Sequence, residues 1–131
     1  MSELVTLEQQ GNVSVVTLDN GENRWTTTLV RELDKALDEV EATEGPHALV
    51  TASSDHKFFS NGLDLDWITS SGDHAGGDRR MFGDEAMKLF SRLITFPIPT
   101  IAAVNGHAFG AGFMWALCHC LLYTSPSPRD S

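Results

Sequence analysis

The sequence lacks both a long apolar run and an excess of basic residues. No apolar stretch in its 131 residues reaches the roughly 18 positions that a membrane-spanning helix needs. Lys and Arg number 9 against 18 Asp and Glu, which gives a net charge of −9. Since duplex binding requires a cationic surface, a nucleic-acid partner is not expected. The same charge disfavours attachment to an anionic membrane surface.

Cysteines are also few, and no secretory signal is recognisable. The two cysteines, Cys118 and Cys120, are too close together in sequence to form a disulfide framework. The N-terminal residues do not show a basic region followed by an apolar one. We therefore predict a reducing, cytoplasmic location. A C-terminal organelle signal stays open as an alternative, because such signals lie at the native C-terminus of a protein.

The last twelve residues differ in character from the chain before them. Residues 120–131 read Cys-Leu-Leu-Tyr-Thr-Ser-Pro-Ser-Pro-Arg-Asp-Ser, and one interpretation is a Pro/Ser-rich tail. Back-translation of this stretch can reproduce a transposase end followed by a sequencing adapter, so we favour a non-native tail. Residues 1–119 are then expected to be the N-terminal part of a longer domain. The Cys-His-Cys run at 118–120 is accordingly not expected to bind a metal.

What remains is a chain that alternates strand-like and helix-like patterns. Apolar residues make up 41% of it, enough for a packed core. The predicted elements are a hairpin of strands 4–8 and 13–18, a helix from 26–28 to about 43, a strand at 47–52, a helix at 79–96, a strand at 100–105 and a helix after the glycines of 106–112. In the second helix we expect Met81, Met87, Phe90, Leu93 and Ile94 to face inward. This order predicts an α/β fold.

The first segment with chemical potential is residues 57–66, Lys-Phe-Phe-Ser-Asn-Gly-Leu-Asp-Leu-Asp. A strand ends there, and Gly62 permits a tight turn. The plain interpretation is a strand-to-helix turn in which Asp64 caps the helix. An acid pair formed by Asp64 and Asp66 is the alternative, and we favour capping.

The second segment is residues 105–114, Asn-Gly-His-Ala-Phe-Gly-Ala-Gly-Phe-Met, which predicts a strand, a glycine-rich turn and the start of a helix. Unpaired backbone N–H groups at such a turn favour an anion or a developing oxyanion. A turn needed only for close packing is the alternative. The spacing G-x-x-x-G-x-G is not the dinucleotide pattern G-x-G-x-x-G, which makes a nucleotide site a weak interpretation. We interpret His107, within this turn, as structural rather than as a base.

Taken together, residues 57–65 and 97–112 resemble the two signature blocks of the enoyl-CoA hydratase/isomerase (crotonase) superfamily. The resemblance implies a ββα superhelix, truncated here before its C-terminal helices. It also implies an acyl-CoA thioester as substrate and a homotrimer or dimer of trimers for the full-length parent. No metal or redox cofactor is implied, because coenzyme A enters as part of the substrate.

The resemblance places the site residue by residue. The backbone N–H groups of Leu63 and Ala111 match the two donors of an oxyanion hole for the thioester carbonyl. Side-chain identity matters little for that role. For Trp25, a core position is an equal alternative. The positions that match the substrate-binding part of the site are Trp25, Phe59, Ser60, Asn61, Gly62, Asp64 and Gly110.

One departure from the family pattern bears on the reaction. Hydratases of this family carry a glutamate at the position held here by Met114, and a thioether cannot act as a general base. The sequence is closer to monofunctional 3,2-enoyl-CoA isomerases, whose single glutamate base lies further along, beyond His119. We therefore predict an isomerase of fatty acid metabolism, converting 3-enoyl-CoA to 2-enoyl-CoA, and expect this short chain itself to be inactive. Hydration, another crotonase chemistry and a non-catalytic acyl-CoA-binding homologue remain the alternatives.

Overall fold

The computed structural model describes residues 4–70 and 75–124. Its strands are β1 (Val5–Gln10), β2 (Val13–Leu18), β3 (Ala48–Ser53), β4 (Phe58–Ser60), β5 (Thr100–Val104), β6 (His107–Ala108) and β7 (Leu121–Thr124). Its helices are α1 (Thr27–Glu41), α2 (Leu65–Ser70), α3 (Ala75–Ile94) and α4 (Ala111–Leu117). The predicted α/β class is confirmed.

The main sheet has five strands in the order β1-β2-β3-β5-β7. The predicted hairpin is confirmed: β1 and β2 pair antiparallel, with Gln10 opposite Val13 and Gly11 at φ +63° in the turn. The other neighbours pair in parallel, as helical crossovers between strands require. A second sheet contains only β4 and β6, also parallel. This small sheet positions the candidate site.

Helix α1 forms where the sequence predicts it. Thr26 caps its N-terminus by accepting a hydrogen bond from the Leu29 N–H with its side chain. One apolar face of the helix is buried, and it contains the apolar residues that recur at helical spacing in the sequence: Leu29, Val30, Leu33, Leu37 and Val40. The 3.6-residue period thus correctly identifies the buried side.

Helix α3 begins and ends earlier than predicted, and only part of its predicted face is correct. Phe90 and Leu93 are buried, but Met81, Met87 and Ile94 are 46%, 55% and 64% exposed. The buried stripe runs through Ala86, Leu89, Phe90 and Leu93, which is the i, i+3, i+4, i+7 pattern of a single helix face. Met87 and Ile94 each lie one position past this stripe. The prediction was wrong for these residues because it selected apolar residues without requiring that all of them lie on one face of the helix.

The C-terminal stretch contributes one more strand. Of the predicted tail at 120–131, Leu121–Thr124 form β7 beside β5, and residues 125–131 lie outside the described residues. None of the helices in the described part of the chain is both long and apolar enough to cross a bilayer.

Candidate functional site

The site is formed where two loops leave the small sheet side by side. Strands β4 and β6 pair Phe58 with His107 and Ser60 with Ala108. The pairing extends to the next residue, because the Phe109 N–H donates to the Ser60 carbonyl at 3.0 Å. The loop at 61–64 and the loop at 109–112 therefore leave the sheet next to each other. The structure thus brings together the two segments that the sequence singled out.

Two glycines, one in each of these adjacent loops, have backbone conformations that other residues rarely adopt. Gly62 has φ +79°, and a Cβ built on it would lie 3.0 Å from the Phe109 carbonyl oxygen. Gly110 has φ +51°, and its built Cβ would lie 3.8 Å from the Cα of Gly62. A side chain at Gly62 would be strained in conformation and tight against backbone. The glycines thus allow the two loops to approach one another.

A third glycine, Gly112, sets how closely α4 approaches β4. A Cβ on Gly112 would lie 2.6 Å from the Ser60 hydroxyl oxygen and 2.7 Å from the Ser60 carbonyl oxygen. No side chain fits at such distances without moving the backbone. The first turn of α4 is therefore in direct contact with the end of β4.

The backbone N–H of Leu63 is not used by the hydrogen bonds that hold the first loop. The backbone N–H of Trp25 donates to the Gly62 carbonyl at 2.7 Å, and the Trp25 carbonyl accepts the Asp64 N–H at 3.0 Å. This parallel bridge uses the groups on either side of Leu63 and not its own N–H. Within residues 4–70 and 75–124, the Leu63 N–H meets no hydrogen-bond acceptor.

The backbone N–H of Ala111 is in the same state. Ala111 is the first residue of α4, so its N–H has no intrahelical partner. The following Gly112 N–H donates to the Phe109 carbonyl at 2.8 Å, and the Met114 N–H donates to the Gly110 carbonyl at 3.0 Å. Over the described part of the chain, the Ala111 N–H donates to no acceptor. Two free donors thus lie on adjacent loops.

Three predicted substrate-binding residues have buried side chains. Trp25, Phe59 and Ser60 each have 0% exposure. The Trp25 ring packs against Phe90 and Trp115, with centroids 5.4 and 5.7 Å apart, as the core alternative predicts. With no exposed area, these three residues present no surface to a ligand in the described part of the chain.

Asn61 and Asp64 hold the outer side of the first loop. The Asn61 side-chain amide donates to a Glu22 carboxylate oxygen at 2.7 Å. This hydrogen bond lowers the pKa of Glu22, which also forms an ion pair with Arg24 at 2.9 Å. Asp64 accepts the Trp67 N–H at 3.0 Å and so caps α2. The capping interpretation of Asp64 is confirmed.

Two other residues singled out by the sequence lie on the second loop and α4. The ring of His107 is stacked on Phe109 with centroids 5.5 Å apart and lies 5.7 Å from Phe58. Met114 is 45% exposed on α4.

Sequence reasoning missed a buried polar network behind the first loop. Asn23 is buried with φ +55°, and its side-chain amide donates to the Ser53 hydroxyl at 2.8 Å and the Phe59 carbonyl at 3.1 Å. Its own carbonyl accepts the Ser60 hydroxyl at 2.6 Å. The available signal was the run of turn-forming residues Asp-Asn-Gly-Glu-Asn at 19–23, since asparagine is among the few residues that tolerate positive φ.

A buried histidine at the end of α4 was also missed. His119 lies with Nδ1 2.9 Å from the Trp115 carbonyl and Nε2 2.7 Å from the Thr51 hydroxyl. A carbonyl only accepts, so Nδ1 carries the proton and Nε2 accepts from Thr51. Burial lowers the pKa of His119 to about 4, and it raises the pKa of the neighbouring Cys118 thiol. Across residues 4–70 and 75–124, no three metal-ligating side chains are grouped around one point.

Comparison with known proteins identifies a matching family and individual relatives. The family model described as enoyl-CoA hydratase/isomerase matches residues 8–129. Enoyl-CoA delta isomerase 2, peroxisomal, of Arabidopsis thaliana is 32% identical over 119 residues, covering 88% of this chain and 50% of that protein. The short-chain-enoyl-CoA hydratase of Clostridium acetobutylicum is 33% identical over 110 residues, covering 82% of this chain and 41% of that protein.

Solved structures show the same fold. The structure of Pseudomonas aeruginosa DspI superposes with a TM-score of 0.85 at 26% identity, covering 95% of this chain and 50% of that one. The chain spans about half the length of the curated relatives it matches. With the family model matching residues 8–129 and the strands, loops and glycines arranged as described, the chain belongs to the enoyl-CoA hydratase/isomerase family.

Proposed function

We propose that this chain carries the enolate-stabilising part of an acyl-CoA site, with the N–H groups of Leu63 and Ala111 as the two donors. The observation that carries the proposal is that these N–H groups, on adjacent loops of the described structure, lack acceptors. Negative charge develops on a thioester oxygen when a proton leaves C2. Fixed donors at that oxygen bind the transition state more strongly than the substrate.

The reaction that fits this site best is isomerisation of a 3-enoyl-CoA to a 2-enoyl-CoA in fatty acid metabolism. A base removes a proton from C2, the thioester oxygen takes the charge, and the proton returns at C4. Met114 supplies no base at the position used for hydration. The proposed base is a glutamate in the part of the relatives' length that this chain does not span, so the chain alone is proposed to be inactive.

The remaining features of the proposal follow the same resemblance. The acyl-CoA lies along the outer surface of the loop at 59–64, where Asn61 and Asp64 are partly exposed and Gly110 borders it. The buried residues Phe59, Ser60 and Gly62 support this loop from its inner side. Coenzyme A enters as part of the substrate, and no metal or redox cofactor takes part. The full-length parent is a homotrimer or dimer of trimers in the cytoplasm, unless its native C-terminus carries an organelle signal.

Reading the gene through codon 119 with adapter-free long reads is the first experiment. The expected result is that the codons for residues 120–131 are replaced by coding sequence containing a glutamate after residue 119. That full-length protein is then assayed with a 3-enoyl-CoA. If residues 120–131 prove to be encoded by the natural gene, the proposal of a non-native tail is wrong.

The oxyanion donors are tested in that protein by Ala111→Pro. Proline has no N–H but is accepted at the first position of a helix, which is where Ala111 lies. Losing one donor is expected to lower kcat by about 10²- to 10³-fold. The matched control is Leu65→Pro, also at a first helical position, which should stay within about twofold of the parent because it removes no proposed donor. Unchanged turnover in Ala111→Pro would contradict the assigned donor.

A non-catalytic acyl-CoA-binding homologue is the second candidate, and Met114 is the observation that favours it. It predicts that the natural gene encodes no glutamate after residue 119. It also predicts that the full-length protein binds a 3-enoyl-CoA without converting it.

A further inference from the structure

We propose that Ser60 is a positioning residue that holds the N–H groups of Leu63 and Ala111 at the spacing required by one oxyanion. The inference rests on the proposed function and goes beyond it, because the side chain of Ser60 is fully buried and is proposed to act on the site only through its neighbours. Ser60 acts through the backbone on both sides of the site.

The hydroxyl of Ser60 has its full complement of hydrogen bonds. It donates to the Asn23 carbonyl at 2.6 Å, and it accepts from the Trp25 indole N–H at 3.0 Å and from the Gly62 N–H at 3.4 Å. A hydroxyl offers one donor and two acceptor positions, so all three are used. The contact with Gly62 acts one residue before Leu63.

The same residue is in contact with the second loop. Its carbonyl accepts the Phe109 N–H at 3.0 Å. Its side chain lies directly against Gly112, where a Cβ would come within 2.6 Å of the hydroxyl oxygen. These contacts lie on either side of Ala111. One buried side chain therefore contacts Gly62, which precedes Leu63, and Gly112, which follows Ala111. A change in its size or hydrogen bonding is proposed to shift one loop relative to the other.

Ser53 offers a matched control. Its hydroxyl also makes three hydrogen bonds, donating to the Phe58 carbonyl at 2.8 Å and accepting from the Asn23 amide at 2.8 Å and the Asp55 N–H at 3.1 Å. Those partners lie outside the loops at 61–64 and 109–112, and Asn23 is the partner that Ser53 shares with Ser60. Ser53→Ala thus removes as many hydrogen bonds as Ser60→Ala while leaving Gly62 and Gly112 untouched.

The experiment uses the full-length protein and a 3-ketoacyl-CoA, whose enolate absorbs in the ultraviolet and forms at equilibrium without turnover. Bound enolate is measured by absorbance at neutral pH, and total binding is measured by equilibrium dialysis. Ser60→Ala is expected to lower the enolate-to-keto ratio of the bound thioester about tenfold, equivalent to about one pKa unit, with binding changed less than threefold. Ser53→Ala should leave the ratio within about twofold of the parent.

A second readout needs no ligand. In a two-dimensional ¹⁵N–¹H spectrum of the free full-length protein, Ser60→Ala should shift the Leu63 and Ala111 amide signals, and Ser53→Ala should leave both in place. If Ser60→Ala does not fold, Ser60→Cys replaces it, and an intermediate enolate ratio is expected because a thiol is a weaker donor and acceptor.

The outcomes separate the two proposals. Equal enolate ratios in the parent and Ser60→Ala, with both folded, would overturn the positioning role and leave the proposed function standing. If the parent binds the thioester without forming enolate, the oxyanion hole is wrong. In that case, amide shifts specific to Ser60→Ala would still support the positioning of the two loops.

Discussion

Two regions of the molecule are stabilised in different ways. One is the pair of helices α1 and α3, and the other, the glycine-dependent region, consists of the loops at 61–64 and 109–112 together with α4. Helix α1 has a side-chain cap, one continuous buried face and a charged outer face. Helix α4 has only seven residues, follows the N-cap Gly110 without a side-chain cap, and leaves Phe113 49% and Leu117 58% exposed. The first region forms from local periodicity and charge. The second depends on backbone contacts that only glycine permits.

Charge distribution shows the same contrast. Residues 93–128 contain no Lys, Arg, Asp or Glu, although the chain has 27 such residues. On the α1–α3 surface, Arg92 forms ion pairs with Asp34, Asp38 and Glu41 at 2.8–2.9 Å. Substitutions of surface charges should therefore have their effect in the helix pair, and an increase in side-chain size at the loop glycines should act through packing.

The largest expected effect comes from Gly112→Ala. A Cβ at this position meets Ser60 at 2.6 Å from its hydroxyl oxygen, so backbone must move, and overpacking of this kind lowers the free energy of unfolding by about 3 kcal/mol. Chemical denaturation measures the change. The control is Gly83→Ala in α3, where a Cβ meets no atom within 4 Å and stability should rise by about 0.5–1 kcal/mol. Equal effects of the two substitutions would contradict the contrast between the regions.

Acid should weaken the glycine-dependent region through His119. Its pKa is about 4 in the folded chain and 6.5 as the ordinary value, so protons bind preferentially to the unfolded state as the pH falls. Stability from this group is complete above pH 6.5 and is lost towards pH 4, with a loss of about 2 kcal/mol between pH 7 and pH 5.

The comparison is made with His119→Asn, which removes the titrating ring and leaves the other histidines unchanged. The parent should lose about 2 kcal/mol more than His119→Asn between pH 7 and pH 5. Parallel pH profiles of the two proteins would show that His119 does not remain neutral in the folded state.

The smallest expected effect belongs to the helix pair. Arg92→Met removes the cation shared by three carboxylates on α1 and should lower the free energy of unfolding by about 1 kcal/mol, with the difference shrinking at high salt. Arg31→Met, which breaks a single ion pair with Glu85, should cost about half as much. A larger effect for Arg31→Met would contradict the importance of the Arg92 cluster.

Sequence reasoning was most successful where a pattern was local and regular. The hairpin, α1, β3 and β5 were predicted because alternation and helical periodicity are properties of adjacent residues. The capping role of Asp64 was predicted for the same reason. The inward face of α3 was partly wrong, because an apolar residue such as Met87 does not reveal whether a packing partner lies beside it.

The site could be predicted only in outline. The two motifs identified the loops, and the family was confirmed. Asn23 and Ser53 were missed, since their hydrogen bonds join residues 30 positions apart and no spacing rule detects such a contact. Trp25 matched a ligand-lining position, but its contacts with Phe90 and Trp115 place its ring in the core.

By itself, the sequence determined the local elements, the excess of acidic charge and the glycines at positions 62, 110 and 112. Only the tertiary structure decided which face of α3 is buried and that the N–H groups of Leu63 and Ala111 are left without acceptors on adjacent loops. The physical reason is the distance along the sequence over which each effect operates. Periodicity and turn preferences operate over a few residues, whereas a free donor is defined by every acceptor that the folded chain does or does not place near it.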